Sequence, residues 1–181
     1  MNKRFYAGIG SRETPDDVLD TMYHLANDLS FLQFTLRSGG AEGADEAFEN
    51  GARDVKGKME IYLPWKNFRN ITDGILVEDD SEALIIAEEH HPAWNYLSRG
   101  ARQLITRNTF QVLSLQEDVP NSAFVLCWTK DGAEKRTTKD TGGTGQSIRL
   151  AIAYNIPVFN LKNEDALERF NTFLSEFLKS N

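Results

Sequence analysis

Short apolar runs alternate with segments of helical spacing along the 181 residues of the chain. Five apolar runs predict strands, at residues 4–10, 34–38, 59–63, 123–129 and 156–159. Other apolar side chains recur three and four positions apart, the spacing of one helix face. This spacing predicts helices at residues 15–30, 44–51, 93–114, 148–152 and 164–179.

Strands that alternate with helices form βαβ units, which build a parallel sheet covered by helices on both faces. We therefore expect an α/β fold: a single Rossmann-like domain over residues 1–181 with a mostly parallel sheet. Residues 65–80 show no clear period and predict a long connection, and residues 81–87 fit either a helix or a strand. Thr14 is the expected N-cap of the first helix, with Pro15 as its first residue.

A glycine-rich turn joins the second predicted strand to the second helix. Backbone N–H groups and the positive end of a helix converge at such a turn, which favours an anion and most often a phosphate. We therefore predict that this turn is a phosphate-binding loop, although a plain tight turn is the alternative. The turn contains Ser38, Gly39, Gly40, Ala41, Glu42, Gly43 and, at the helix start, Asp45.

Two further turns are expected at the same edge of the sheet, because the carboxyl ends of parallel strands meet there. Arg12 can hold a phosphate or carboxylate through two hydrogen bonds, or pair with Glu13 or Asp16 on the surface. Together, these turns predict a binding site for one nucleotide-like ligand. The turn after the first strand contains Gly10, Ser11 and Arg12, and a later one contains Thr141, Gly142, Gly143, Thr144, Gly145, Gln146 and Ser147.

Composition and charge narrow the function classes. A net charge of -7 does not suit a general nucleic-acid binder, although a local basic strip stays open. No apolar run reaches the roughly 20 residues of a membrane span, and the first run is too short for a signal peptide. The single cysteine, Cys127, excludes an intrachain disulfide and fits a reducing cytoplasm. Its apolar neighbours predict a core thiol rather than a nucleophile.

The residues do not predict a standard cofactor or metal site. Neither long glycine turn ends in the Gly-Lys-Ser/Thr of a Walker loop, and the first strand lacks the third glycine of a dinucleotide site. The three histidines have no partner at ligand spacing, so we expect neither a cofactor nor a metal. Glu42 and Asp45 are the best acid–base candidates, although the helix dipole alone also explains acidic residues there.

The motifs resemble those of the DNA-processing protein A (DprA) family. That family has the same four motifs in the same order: Gly10-Ser11-Arg12, Ser38 to Asp45, Arg107-Asn108, and Thr141 to Ser147. By these motifs the chain is identified as a member of the SLOG superfamily of Rossmann-like domains. The resemblance covers residues 4–160 and is strongest to small stand-alone DprA-like proteins, including phage-encoded ones.

The resemblance implies several functions. DprA proteins bind single-stranded DNA and dimerise, which implies a homodimer and DNA contacts by Arg12, Arg37, Arg107 and Lys139. The related lonely-guy enzymes hydrolyse nucleoside monophosphates with a glutamate where this chain has Arg149, and other members bind NAD-derived nucleotides. We expect binding of a nucleotide or nucleotide-derived phosphate without obligatory turnover. DNA binding is the second hypothesis, and hydrolysis by Glu42 or Asp45 is the third.

Overall fold

The computed structural model describes residues 4–77 and 81–180, which form an α/β fold. The strands of this part are β1 (Arg4–Gly8), β2 (Phe34–Ser38), β3 (Met59–Leu63), β4 (Ile75–Leu76), β5 (Val125–Cys127) and β6 (Val158–Asn160). Its α-helices are α1 (Asp16–Phe31), α2 (Ala44–Asp54), α3 (Ser81–His90), α4 (Arg99–Val112), α5 (Gly145–Ala153) and α6 (Ala166–Ser180). Among these residues, no helix is both long and apolar enough to cross a bilayer.

The strands form one parallel sheet in the order β4-β3-β2-β1-β5-β6. From β1 the chain adds strands outward in one direction up to β4, and then returns to add β5 and β6 on the other side. The order therefore reverses between β1 and β5, where Ala7 pairs with Val125. In an open α/β sheet, a crevice forms beyond the carboxyl ends of the strands at such a switch.

Alternate strand residues face two different layers of the core. Tyr6 and Leu126 face a layer that also contains side chains of α1, α2 and α6. Ala7 and Val125 face the opposite layer, which contains side chains of α4 and α5. Helices therefore cover both faces of the sheet, and the predicted fold class is confirmed.

Cys127 lies in β5 and is fully buried. Burial raises the pKa of its thiol, as do the negative charges of Glu134 and Asp131. A thiol with a raised pKa is not an activated nucleophile. The structure therefore agrees with the prediction of a core thiol.

The segment between β3 and α4 differs from its predicted structure. The predicted connection contains β4, an edge strand of two half-exposed residues that is too short to show any period. Residues 81–90 form helix α3, which decides between the two alternatives, while residues 78–80 of the predicted connection lie outside the described residues. The helix predicted at 93–114 is interrupted: a 3-10 turn spans Trp94–Tyr96, and α4 then begins after Ser98.

Helix α1 begins one residue later than predicted. Pro15 has φ -61° and ψ 151°, which are extended values, so Pro15 is the N-cap. The Thr14 hydroxyl donates a hydrogen bond of 2.7 Å to the Ser11 carbonyl oxygen instead of capping the helix. Thr14 therefore fixes the turn after β1, which carries Ser11.

Gly51 allows α1 and α2 to pack closely. A Cβ at this position would overlap the carbonyl oxygen of Tyr23 in α1. The helices are also joined by Asn27, whose Nδ2 donates to the Gly51 carbonyl oxygen at 2.5 Å. Because backbone atoms move less readily than side chains, the separation of the two helices depends on glycine here.

We expect Gly51→Ala to lower the free energy of unfolding by about 2 kcal/mol, the usual scale of an overpacked core. Chemical denaturation measures the change. Gly100→Ala is the matched control, because a Cβ at Gly100 in α4 meets no atom within 4 Å. The control should be neutral or stabilising by up to about 1 kcal/mol. Equal stability of the two variants would contradict the prediction.

Candidate functional site

A cavity of about 630 Å³ lies where the strand order reverses, beyond the carboxyl ends of β1 and β5. We call it the switch-point cavity. It brings together the turn after β1, the start of α2, the middle of α4 and the second glycine turn. The predicted site residues that line it are Gly10, Ser11, Arg12, Ala41, Asp45, Arg107, Asn108, Thr141, Gly142, Gly143, Thr144 and Ser147.

The other predicted site residues do not line this cavity. Gln146 is fully buried, and its Nε2 donates to the Ala87 carbonyl oxygen at 3.0 Å. Glu42 is exposed and pairs with Arg69 at 3.5 Å, which directs its carboxylate away from the cavity. The remaining ones are Ser38, Gly39, Gly40, Gly43 and Gly145.

The first glycine turn is occupied by carboxylates of the protein itself. The Gly39 N–H donates to Asp45 Oδ2 at 3.0 Å, and the Gly40 N–H donates to Glu49 Oε1 at 2.9 Å. Both carboxylates come from α2, one helical turn apart. Carboxyl groups of the protein therefore already accept hydrogen bonds from two of the N–H groups that were predicted to bind a phosphate.

Arg107 supports this turn from the other side. Arg107 is buried, with only 5% of its surface exposed. Its Nη1 donates to the carbonyl oxygens of Gly39 and of Tyr62, the latter at 3.2 Å. A Cβ at Gly39 would overlap the guanidinium, so glycine is required there for the close approach of Arg107.

Asn108 connects the two glycine turns. Its Oδ1 accepts a hydrogen bond of 3.1 Å from Arg107 Nε, and its Nδ2 donates to the Gly143 carbonyl oxygen at 3.2 Å. The Arg-Asn pair therefore joins the first turn, through Gly39, to the second. Sequence reasoning took both residues for ligand contacts. Both line the cavity, and they also bond to each other and to the backbone of the two turns.

The buried charges at the first turn influence one another. Burial raises the pKa of Asp45, while the charge of Arg107 and backbone N–H groups oppose that rise. Burial and the negative charge of Asp45 raise the pKa of Glu49 to about 7. Burial also lowers the pKa of Arg107, and the two carboxylates oppose this change. One buried cation thus faces two carboxyl groups whose pKa values are both raised.

The second glycine turn is open to the cavity. It forms a 3-10 turn, Lys139–Thr144, that leads directly into α5. A Cβ at Gly142 or Gly143 would meet no atom within 4 Å, in contrast to the crowded Gly39. Gly142 has φ 65°, a left-handed conformation that favours glycine. This backbone is accessible to a ligand, unlike that of the first turn.

Asp131 holds the start of the second turn. Its carboxylate accepts hydrogen bonds from the hydroxyls of Thr129 at 2.8 Å, Thr138 at 2.7 Å and Thr141 at 2.6 Å. Burial acts to raise the pKa of Asp131, but these hydrogen bonds together outweigh it and lower the pKa. The charged loop at 130–140 is therefore anchored to the turn that it precedes.

Part of the cavity lining is apolar. Leu97, Leu104 and Ile105 form it, together with the ring of His91. Burial and the charge of Arg149 lower the pKa of His91, which favours its neutral form. Helical spacing had assigned these aliphatic residues to a packed helix face, and spacing alone does not separate a core face from a cavity wall.

Arg149, at the position of the lonely-guy catalytic glutamate, has a structural role. Its Nε donates to the His90 carbonyl oxygen at 2.9 Å, and its Nη2 donates to Gln146 Oε1 at 2.9 Å. Its Nη1 donates to the Thr137 hydroxyl at 3.1 Å. These bonds join α5 to the end of α3.

Comparisons with known proteins agree with this fold. No protein-family model and no curated protein matches the sequence. Among solved structures, the Moco carrier protein of Chlamydomonas reinhardtii is 17% identical, with a TM-score of 0.54 over 98% of this chain and 87% of that one. DprA from Helicobacter pylori is 16% identical, with a TM-score of 0.52 over 98% and 81%. DprA from Streptococcus pneumoniae is 15% identical, with a TM-score of 0.52 over 87% and 50%.

The chain has the SLOG-type Rossmann-like fold. The fold that the sequence resemblance implied is therefore confirmed. At these identities the likeness concerns the fold alone, so the ligand has to be argued from the residues of the switch-point cavity.

The raised pKa of Glu49 predicts a pH-dependent stability. The carboxyl group of Glu49 has its ordinary pKa of 4.5 in the unfolded chain and a pKa of about 7 in the folded protein. Between these values the unfolded chain loses the proton while the folded protein keeps it, so this group's contribution to stability falls as the pH rises. The fall amounts to at most about 3 kcal/mol.

We expect Glu49→Gln to remove this fall, because glutamine keeps an oxygen acceptor for the Gly40 N–H but does not ionise. Urea denaturation at pH 5 and pH 8 measures the free energy of unfolding. As the pH rises, the variant should become more stable relative to the unchanged protein. Glu88→Gln, at an exposed position of α3, serves as the control. A stability difference independent of pH would contradict the assignment.

Proposed function

We propose that the protein binds a nucleotide or nucleotide-derived phosphate ligand in the switch-point cavity, without obligatory turnover. The observation that carries the proposal is the mixed lining of this cavity. The lining combines an open glycine turn, hydroxyl and cationic groups, and aliphatic side chains. Its volume of about 630 Å³ lies in the range of small-molecule sites, roughly 300–1,000 Å³.

The phosphate is assigned to the second turn. The N–H groups of Gly39 and Gly40 already donate to carboxylates, so the first turn has little left to offer an anion. Gly142 and Gly143 face open space immediately before the N-terminus of α5, where the helix dipole favours negative charge. The exposed Lys130 lines the same region and adds positive charge.

The remainder of the ligand is assigned to the rest of the lining. Arg12 and Ser11 line the mouth of the cavity near the turn after β1 and can donate hydrogen bonds to a sugar or a second phosphate. Leu97, Leu104 and Ile105 offer an apolar surface for a flat ring. An anionic end joined to a flat heterocycle is the chemistry of a nucleotide.

The proteins with this fold support a small polar ligand as one class and DNA as another. The Chlamydomonas reinhardtii structure is of a molybdenum cofactor carrier protein, and the Helicobacter pylori structure concerns single-stranded DNA binding by DprA. A ligand panel should therefore contain nucleotides, ADP-ribose derivatives, molybdenum cofactor and short oligonucleotides.

A thermal-shift measurement over this panel tests the proposal, with Gly143→Leu as the decisive variant. A Cβ at Gly143 meets no atom within 4 Å, so leucine should leave the unliganded protein folded while it fills the space above the turn. We expect one ligand to raise the melting temperature of the unchanged protein, and Gly143→Leu to weaken that ligand at least about tenfold. Gly100→Ala, at a residue that is not part of the cavity lining and where a Cβ meets no atom within 4 Å, is the control.

A flat melting profile across the whole panel would contradict the proposal, as would a ligand that Gly143→Leu binds unchanged. Chromatography of the recovered ligand shows whether the protein has converted it, and we expect the ligand to be unchanged. Asp45 is the candidate carboxylate for hydrolysis that lines the cavity, whereas Glu42 lies outside it. A hydrolysed ligand would therefore direct attention to Asp45.

Single-stranded DNA is the second candidate, favoured by Arg12, Lys130 and Lys139, which are exposed at or next to the cavity. Two of the predicted DNA contacts, Arg37 and Arg107, are buried. Arg37 is 1% exposed and donates to Glu60 at 2.9 Å and to the Pro120 carbonyl oxygen at 3.0 Å. Arg107 is equally committed to the first turn, so neither guanidinium is free to reach a strand outside.

This candidate predicts oligonucleotide binding that weakens steeply with salt. Each phosphate contact contributes a slope of about -0.7 in a plot of log affinity against log salt concentration. Lys139→Gln should reduce the slope by about that amount, while Lys179→Gln in α6 should leave it unchanged. Salt-independent or absent binding removes the candidate.

The homodimer implied by the DprA resemblance stays a prediction.

A further inference from the structure

The lining of the switch-point cavity carries charges of both signs. Asp45 and Arg107 are buried and interact with each other at the first glycine turn. The other four charged side chains are exposed, and two of them are cationic and two anionic. Carboxylates in a lining repel the phosphate of a ligand, so their presence here needs another explanation. The four exposed charges are those of Arg12, Glu13, Lys130 and Asp140.

The two exposed carboxylates have no partner within the described part of the protein. There, neither Glu13 nor Asp140 forms an ion pair, and the same is true of Arg12 and Lys130. Arg12 and Glu13 are neighbours in the sequence, and their charged groups still stay apart. Groups of both signs are therefore available to one ligand.

The backbone that carries these carboxylates is fixed by hydroxyl groups. The Glu13 N–H donates to the Ser11 hydroxyl at 3.0 Å. The Asp140 N–H donates to the Thr138 hydroxyl at 3.1 Å, and that hydroxyl donates to Asp131 Oδ2 at 2.7 Å. Both carboxylates thus belong to anchored turns, so their place at the cavity is part of the fold.

Thr144 is an independent sign that the cavity lacks a partner. The residue is only 8% exposed and lines the cavity at the start of α5. Its hydroxyl does not cap that helix and makes no hydrogen bond with any described residue. The hydroxyl of Thr141, in the same turn, donates to Asp131 instead. A free hydroxyl donor beside the open glycine turn suits a phosphate oxygen.

The carboxylates require a different group of the ligand. An ionised carboxylate only accepts hydrogen bonds, and a phosphate group has few protons to donate near pH 7. A ribose has two neighbouring hydroxyl groups that can donate, and in dinucleotide-binding sites an acidic residue binds such a hydroxyl. DNA lacks the 2′ hydroxyl, which is the group that distinguishes RNA from it.

We propose that the ligand of the switch-point cavity is a ribonucleotide with free 2′ and 3′ hydroxyl groups, and that the carboxylates of Glu13 and Asp140 recognise these hydroxyls. Its phosphate accepts a hydrogen bond from Thr144 at the second turn. The inference rests on the proposed function and specifies its ligand further. The sugar then decides between ribonucleotides and deoxyribonucleotides, whichever base they carry.

Pairs of nucleotides that differ only at the 2′ position test the proposal. They are the four ribonucleoside 5′-monophosphates and 5′-diphosphates, each with its 2′-deoxy form. Calorimetric titration measures the dissociation constant of every compound. We expect a ribonucleotide to bind at least about tenfold more tightly than its 2′-deoxy form, because the deoxy form lacks one hydrogen bond to a charged group.

The ratio of the two affinities in a pair separates recognition of the sugar from recognition of the phosphate. The double variant Glu13→Ala/Asp140→Ala should bring this ratio to about one, and the single variants show which carboxylate binds the 2′ hydroxyl. Thr144→Val should weaken both members of a pair about tenfold and leave the ratio unchanged, since they share the phosphate. Glu168→Ala, at an exposed position of α6 outside the cavity lining, is the control and should change neither affinity.

Two results would overturn the inference and leave the proposed function standing. One is a nucleotide that binds as tightly in its 2′-deoxy form as in its ribose form. The other is a preference for ribose that persists in the double variant. Absence of binding by all of these nucleotides would remove the inference and count against the proposed function as well. Thermal denaturation of each variant without ligand checks that the fold is intact.

Discussion

The buried guanidinium of Arg107 is the interaction on which the site depends. An unpaired charge in a protein interior costs several kcal/mol, so its burial requires partners on every side. Carbonyl oxygens of Gly39 and Tyr62 accept its hydrogen bonds, and the carboxylates of Asp45 and Glu49 offset its charge. These partners belong to the turn after β2, to β3 and to α2, so one cation joins three parts of the chain at the carboxyl edge of the sheet.

The same constraint makes the two glycine turns different in kind. Both follow the pattern of an anion-binding loop, but α2 supplies carboxylates to the first one and α5 supplies none to the second. The glycines of the first turn are needed for close approach of protein atoms, as Gly39 shows with Arg107. Those of the second leave space for atoms that are not part of the protein. The contacts made by neighbouring elements, and not glycine content, separate a turn filled by protein atoms from an open one.

Much of the architecture could be predicted from periodicity, because long elements repeat their pattern often enough to be recognised. The bounds of β2 and β3 agree with the prediction, and so does the fold class. β4 was missed because two residues carry no period. The burial of Arg107 was missed because its partners lie far away in the sequence. The pattern within one helix shows which side chains share a face, but not which other elements that face contacts. The apolar wall at Leu104 was missed for a related reason, since an aliphatic face looks the same whether it meets a core or a cavity.

Helix α4 contributes side chains to the switch-point cavity. Two consecutive residues of this helix, Arg107 and Asn108, bind the first and the second glycine turn. One helix therefore sets the position of both turns. Whatever occupies the second turn lies against the helix that also holds the first.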